Sequence, residues 1–356
     1  MKTGLGIIGT GRWAAAHAEA ARRSESVQLV ACFSRSDERR EAFAHQHGLR
    51  SCGSLGELLS DREVEAVVIS SPNDAHAFHL EAALQAGRPA LVDKPMGVGT
   101  AEAVAVWRLA SKAKVPVGVA HHPRRLAGHR VAKELIESGR LGWVRTAYAN
   151  FSNARGARLA KDAWHRTARG SEAGVLIQVG IHQVDNLHFL LGPPRQVNAR
   201  FAYGSEGLGL PDLALVTIVH AGGAMSVVAS SWTTPSYYRL DLLATEGNLE
   251  YRLDHAGWTT PEIDSGSELI WEQPGRGREV VELVKGDPLR EQLEELGAAA
   301  RHGTPMGVSV VDGLWATVVV EAAVRSAANE GAVVEVTDLL AAAGADLAGL
   351  VANSGL

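Results

Sequence analysis

The chain has 356 residues, 46% of them apolar, and a formal net charge of −5. The length predicts two domains, the acidic balance excludes a nucleic-acid partner, and no basic run or long apolar span points to a membrane. Two cysteines, Cys32 and Cys52, are too few for a disulfide framework or a metal cluster and are expected as buried thiols; with a start that runs straight into a strand, the expected compartment is the cytoplasm.

A first strand is predicted over 4–9, running into Gly9-x-Gly11-x-x-Ala14 and a helix over 11–23. This is the strand, glycine turn and helix start of a dinucleotide-binding unit. Gly9 allows the tight turn, Gly11 lets a pyrophosphate approach the backbone, and Ala14 lets the helix pack on the strand. Thr10, Arg12 and Trp13 fill the turn, where free N–H groups at the helix start face the phosphates. Glycine turns of this spacing also occur in nucleotide-free folds.

Further strands are predicted at 27–33, 65–70, 89–93 and 116–120, with helices around 37–47, 54–60, 73–87 and 100–114. The alternation predicts an α/β fold with a parallel, doubly wound sheet. Ser54 and Asn73 stand where N-caps belong, Gly48 and Gly87 where C-terminal stops belong. The second strand ends in Ser34-Arg35-Ser36, with Arg39 and Arg40 a turn on, and no acidic residue stands where the ribose 2′-hydroxyl of NAD would be held. A hydroxyl and guanidinium groups suit a phosphate dianion, which favours NADP over NAD; the other reading is a plain loop capping the next helix.

The third strand opens into Ser71-Pro72-Asn73 and His76 at the crevice where such sheets place ligands, or simply into a proline turn with an Asn cap. His76 and His79 lack further ligands at useful spacing, so no metal is expected. The fourth strand ends in Asp93-Lys94-Pro95. A lysine fixed there by a proline can point into the crevice, where desolvation lowers its pKa towards proton transfer; a surface lysine is the alternative. The fifth ends in His121-His122-Pro123-Arg124.

Beyond residue 121 the pattern changes. A helix (125–138), a strand (143–151), a basic irregular stretch to Gly170 and a helix (175–191) precede strands at 196–203, 212–220, 224–232, 237–244 and 247–253. Successive strands predict an α+β second domain with a large open, mostly antiparallel sheet. The stretch 254–280 reads as loop; helices follow at 287–302 and 312–330, and an alanine-rich surface helix from Thr337. The expected domains are 1–121 and 122–356.

Gly9-x-Gly11-x-x-Ala14, Ser-x-Pro72-Asn73 with His76, Asp93-Lys94-Pro95, the run from Gly174 to Asp185 that contains Gln178 and His182, and Val308 to Ala316 occur in order. Together they resemble the glucose–fructose oxidoreductase/inositol dehydrogenase/MocA family over nearly the whole chain. The resemblance implies a Rossmann domain followed by a C-terminal domain whose sheet makes a homodimer or homotetramer. It implies NAD(P)-dependent hydride transfer at a hydroxyl or carbonyl carbon of a sugar, cyclitol or related polyol. Lys94 and His182 correspond to the family's pair at the reacting oxygen, His182 as base and Lys94 as hydrogen-bond donor. Ser71, Pro72, Asn73, His76, Asp93, Pro95 and His121 fall at cofactor positions. His122, Arg124, Trp164, Arg166, Gln178 and Asp185 fall near the substrate, with domain-interface packing the alternative for His121 to Arg124 and for Trp164 and Arg166.

Spacings of four and three put Gln178, His182 and Asp185 on one helix face. Gln178 replaces the family's usual Asp and cannot relay a proton; Asp93 replaces its Glu and reaches less far. Within the family, the alternatives to a polyol dehydrogenase are an enzyme for non-sugar rings such as dihydrodiols, a non-catalytic NAD(P)-dependent binding regulator, and a glycosidase that uses NAD transiently.

Overall fold

A computed structural model describes residues 1–160, 166, 169–205, 207–254, 257–346 and 350. The first sheet comprises β1 (Thr3–Ile8), β2 (Val27–Phe33), β3 (Arg50–Ser51), β4 (Ala66–Ile69), β5 (Ala90–Val92) and β6 (Val117–Val119), with α1 (Arg12–Arg22), α2 (Asp37–His47), α3 (Leu55–Ser60), α4 (His76–Gln85) and α5 (Thr100–Ala113) between them. The second comprises β7 (Val144–Ser152), β8 (Pro194–Ala202), β9 (Leu213–His220), β10 (Met225–Ser231), β11 (Tyr237–Ala244), β12 (Gly247–Arg252), β13 (Glu268–Gln273), β14 (Gly277–Val281) and β15 (Val334–Glu335). Its helices are α6 (Ala127–Glu137), α7 (Ile181–Leu191), α8 (Pro288–His302), α9 (Val310–Ala328) and α10 (Val336–Ala342).

The first sheet is wholly parallel, in the order β3-β2-β1-β4-β5-β6. The order reverses between β1 and β4, the switch point at which doubly wound sheets bind ligands. Every residue of β1 and β4 is buried, as parallel strands covered on both faces require. On one face Leu5 and Ile7 pack with Ala14, Ala18 and Ala21 of α1 and with Leu289, Leu293 and Leu296 of α8. That last helix comes from far along the chain, and it lies so close that a Cβ on Gly297 would sit 2.4 Å from Val27 Cγ1. The other face, with Ile8, Val67 and Ile69, joins a core that continues into the second domain.

The second sheet runs β14-β13-β12-β11-β7-β10-β9-β8-β15, and only β7 and β10 pair in parallel. Ala147, Ala149 and Phe151 of β7 point to the core, as do Leu240 and Leu242 of β11. The opposite face leaves Tyr148, Leu215, Met225, Tyr237 and Leu243 exposed. Helix α9 packs against α5, α7 and β8 and so joins the two halves. Its start is fixed by a capping box, Ser309 Oγ accepting from the Asp312 N–H while Asp312 accepts from the Ser309 N–H at 2.7 Å.

Ser54 caps α3, accepting from the Glu57 N–H at 3.1 Å, and Gly48 and Gly87 each adopt φ +68° after their helices. Other expectations change. Residues 73–87 begin with a short 3₁₀ turn (Asn73–Ala75), so Asn73 does not cap α4. The stretch read as loop holds the hairpin β13–β14, in which Leu269 and Trp271 alternate inwards while β14 is an exposed charged edge. Helix α9 starts at Val310, two residues early, and α10 buries Val336, Leu339 and Leu340 rather than lying wholly at the surface.

Candidate active site

A cleft of about 860 Å³ opens at the C-terminal ends of β1, β4 and β5 and is walled by Phe151, Arg155, His182 and Trp258 of the second domain. Gly9 adopts φ +112°, and a Cβ there would lie 2.3 Å from the Ser70 carbonyl oxygen, so the turn admits only glycine. A Cβ on Gly11 would meet nothing within 4 Å, and the first turn of α1 carries no acidic side chain. Open space beside a helix start suits a diphosphate. Thr10, Arg12 and Trp13 line the same mouth.

The far rim is Ser34, Arg35, Ser36 and Arg39. Arg35 and Arg39 are exposed. Arg40 is buried and turned away, donating to Asp37 (2.7 Å), Ser51 Oγ (2.9 Å) and the Ser34 carbonyl (3.2 Å). It thus pins the loop that carries Ser34 and Arg35.

Ser71, Pro72 and Asn73 form the adjoining wall. The two ring nitrogens of His76 face the carbonyl oxygens of Pro95 and Ser71, each at 2.7 Å. His76 therefore ties this wall to the Lys94-Pro95 loop through the main chain. Pro95 itself lines a second hollow, not the cleft. His79, read from sequence only as a poor metal ligand, lines the cleft and bonds Ser71 Oγ at 2.9 Å.

Lys94 Nζ donates to the Gln178 carbonyl at 2.7 Å and approaches that of Ile177 at 3.5 Å. Both carbonyls belong to a π-helical turn, Leu176–Gly180, that leads into α7. Such widened turns are frequent at functional sites. Asp93 points the other way, to His17 Nε2 at 3.0 Å, and accepts from Ser70 Oγ. Burial opposes its ionisation, but His17, with the Ser70 hydrogen bond, holds the carboxyl below its usual range. Burial pulls the Lys94 ammonium down to about 7; Asp93 opposes this and the Arg155 charge reinforces it.

His182 is buried, with His122 (5.5 Å between centroids), His121 (5.8 Å) and Trp258 (5.5 Å) packed edge-on around its ring. Burial first, then Lys94 and the two neighbouring imidazoles, keep its pKa well below the normal histidine value. His182 is thus neutral at neutral pH.

Gln178, His182 and His122 line the cleft as expected, but Asp185 does not. Three residues on from His182 in the regular helix α7, Asp185 lies about 60° round from it, and its carboxylate takes both Nε and Nη2 of Arg124, each at 2.7 Å. Arg124 also lies 3.0 Å from Asp312, and His121 Nδ1 lies 3.8 Å from Asp185. Arg124, Asp185 and His121, expected at substrate and cofactor, form a buried network behind the wall. Arg166 is likewise withdrawn, donating to the Gly207, Leu208 and Leu159 carbonyls at 2.6, 3.0 and 3.2 Å. Trp164 lies outside the described residues. Reading the sequence missed His17, Phe151, Arg155, Arg158 and Trp258, all of which line the cleft. The basic stretch was the signal for the two arginines; Trp258 offered none.

Two family models match the chain. "Oxidoreductase family, NAD-binding Rossmann fold" covers residues 3–121, and "GFO/IDH/MocA C-terminal domain" covers 129–250. The chain belongs to the Gfo/Idh/MocA oxidoreductase family. Like other members it is an NAD(P)-binding Rossmann enzyme of the dehydrogenase/reductase class. The crystal structure of a candidate NADPH-dependent oxidoreductase from Desulfitobacterium hafniense superimposes with a TM-score of 0.90 at 30% identity, covering 96% of this chain and 99% of that one. The 1,5-anhydro-D-fructose reductase of Ensifer adhaerens is 28% identical over 248 residues, 68% of this chain and 74% of its own. The rhizopine catabolism protein MocA of Rhizobium meliloti is 24% identical over 335 residues, 90% and 93% of the two chains.

Proposed function

We propose that this Gfo/Idh/MocA enzyme oxidises or reduces one hydroxyl/carbonyl carbon of a sugar, cyclitol or related polyol, with NADP as cofactor. The observation that carries the reading is the cleft itself. It begins at the glycine turn of one domain and ends where Lys94 and His182, from different domains, open on the same space. The nicotinamide supplies the hydride acceptor or donor. Gly9, Gly11 and the start of α1 would hold its diphosphate, and Ser34, Arg35 and Arg39 a ribose 2′-phosphate, since no carboxylate lines that rim among the described residues.

At the other end two groups compete for the hydroxyl proton. His182 stays neutral because burial and the Lys94 charge disfavour an imidazolium. Lys94, drawn down to about 7, matches neutral pH. This reverses the roles expected from sequence. Lys94 exchanges the proton, neutral His182 holds the hydroxyl by a hydrogen bond, and the Gln178 amide orients the substrate. The Ile177 and Gln178 carbonyls aim the lysine.

We place homo-oligomer contacts on the uncovered face of the second sheet, where Tyr148, Leu215, Met225, Tyr237 and Leu243 form an apolar surface. The buried free thiols of Cys32 and Cys52 are in keeping with a reducing cytoplasm. The test is a polyol and sugar panel followed by nicotinamide absorbance with each dinucleotide. Turnover that favours NADP and collapses in Lys94→Ala is expected; undiminished turnover in Lys94→Ala and His182→Ala would sink the mechanism.

A further inference from the structure

Helix α8 covers the first sheet with a buried stripe at positions 289, 292, 293 and 296, the i, i+3, i+4, i+7 spacing of a core-facing helix. Leucine fills three of these positions, and Gln292 fills the other. Gln292 is 0% exposed, and among the described residues neither its Oε1 nor its Nε2 has a hydrogen-bond partner. Gln183 shows what such a residue does when the protein itself satisfies it. Equally buried, it donates to the Asn150 carbonyl at 3.0 Å and accepts from Asn186 Nδ2 at 3.2 Å. An amide buried without partners is costly, because nothing replaces the water it gave up. Gln292 also lines the cleft, so a ligand can supply what the chain does not.

Its place in the cleft is fixed from both flanks of α8. On one, Asp287, the cap of the helix, accepts from Arg23 at the end of α1 at 2.8 Å. On the other, Glu295 pairs with Arg125, and Glu291 with Arg130 at 3.0 Å. Gln292 is thereby held between α1 and the 3₁₀ turn His122–Arg125. These two elements meet at the cleft, where the Trp13 ring lies 5.5 Å from that of His122, and His122 lies 5.5 Å from His182. Helix α8 also packs on β1, β4 and β5, whose ends carry the glycine turn and Lys94. The reacting ring of a dinucleotide must come to this end, since its hydride passes to or from the carbon whose oxygen Lys94 and His182 hold.

At its reacting end a dinucleotide carries one group with a donor and an acceptor side by side, the nicotinamide carboxamide. We infer that the Gln292 amide pairs with that carboxamide, donating to its oxygen and accepting from its nitrogen. The contact fixes the rotation of the ring, and so the face it turns towards the substrate. This rests on the cofactor site proposed above and adds to it a residue far along the chain from the glycine turn.

The test uses the full enzyme without substrate, so that a hydroxyl of the substrate cannot stand in for the carboxamide. Whichever of NADP and NAD binds more tightly is compared by calorimetry with its 3-acetylpyridine analogue, in which a methyl group replaces the amide nitrogen. The wild-type protein should bind the analogue about tenfold more weakly. Gln292→Met removes the side-chain amide at nearly constant volume. It should bind cofactor and analogue about equally, both about tenfold more weakly than the wild type binds the cofactor. Free of ligand, Gln292→Met should melt about 2 °C higher than the wild type, since a buried unpaired amide is gone. Equal binding of cofactor and analogue by the wild type would overturn the inference and leave the cofactor site standing. So would discrimination that survives in Gln292→Met, or a lowered midpoint in its free form, the mark of a packing role. Binding of neither dinucleotide by the wild type would sink the cofactor site and this contact together.

Discussion

The two ends of the cleft are built on opposite principles. At the cofactor rim, Arg35 and Arg39 stand exposed on a loop that the buried Arg40 pins from below. At the reaction end, His122 and His182 are almost wholly buried and Lys94 reaches its site across main-chain carbonyls. Water screens the first set, so each charge there contributes little by itself and acts by number. The second set is desolvated, so its protonation states are altered before any ligand arrives. Selectivity for the dinucleotide is thus distributed, whereas proton transfer rests on single groups.

The contrast is sharpest at Lys94. Replacing it by Met should lower kcat by about 10²- to 10⁴-fold while the protein folds. It should also raise the thermal midpoint. The folded pKa of about 7 lies below that of the unfolded lysine, so the unfolded chain binds the proton more tightly between the two values. The penalty is full below pH 7 and fades as pH rises towards 10; equal midpoints for both proteins at every pH would refute it. Asp185→Asn tests a buried charge with no place in the cleft. It strands Arg124 and should cost about 3 kcal/mol in denaturant unfolding, more than any rim substitution.

His182→Asn should lower kcat by about 10- to 100-fold. The oxidation rate should still rise with pH through about 7 as Lys94 deprotonates. Loss of that limb in His182→Asn would return the titrating role to the histidine. The smallest effect belongs to the exposed rim. Arg39→Gln should weaken NADPH binding about three- to tenfold, less at high salt, and leave NADH unchanged. An effect as large as that of Lys94→Met would erase the distinction between the two ends.

What was legible in the sequence depended on how local its cause was. The glycine turn, Ser54 and Lys94 at the end of its strand carry their reasons in adjacent residues: Gly9, Gly11 and Lys94 line the cleft and Ser54 caps its helix, whereas Pro95 lines a second hollow. Asp185 was misplaced because a step of three in the regular helix α7 turns it about 60° from His182, and Arg124, distant in sequence, claims its carboxylate. Trp258 was invisible because it reaches His122 and His182 only after the second sheet has folded beneath it. The β13–β14 hairpin did alternate, but an edge strand with an exposed charged flank reads much like a loop.

Helix α8 supplies the last apolar layer of a sheet whose strands were all laid down by residue 119. On the ribosome, the nascent nucleotide-binding half would wait for some 180 more residues with the face beneath Leu289, Leu293 and Leu296 uncovered. A fragment ending near residue 121 would keep α1 on that face but leave exposed the apolar part that α8 covers in the full chain.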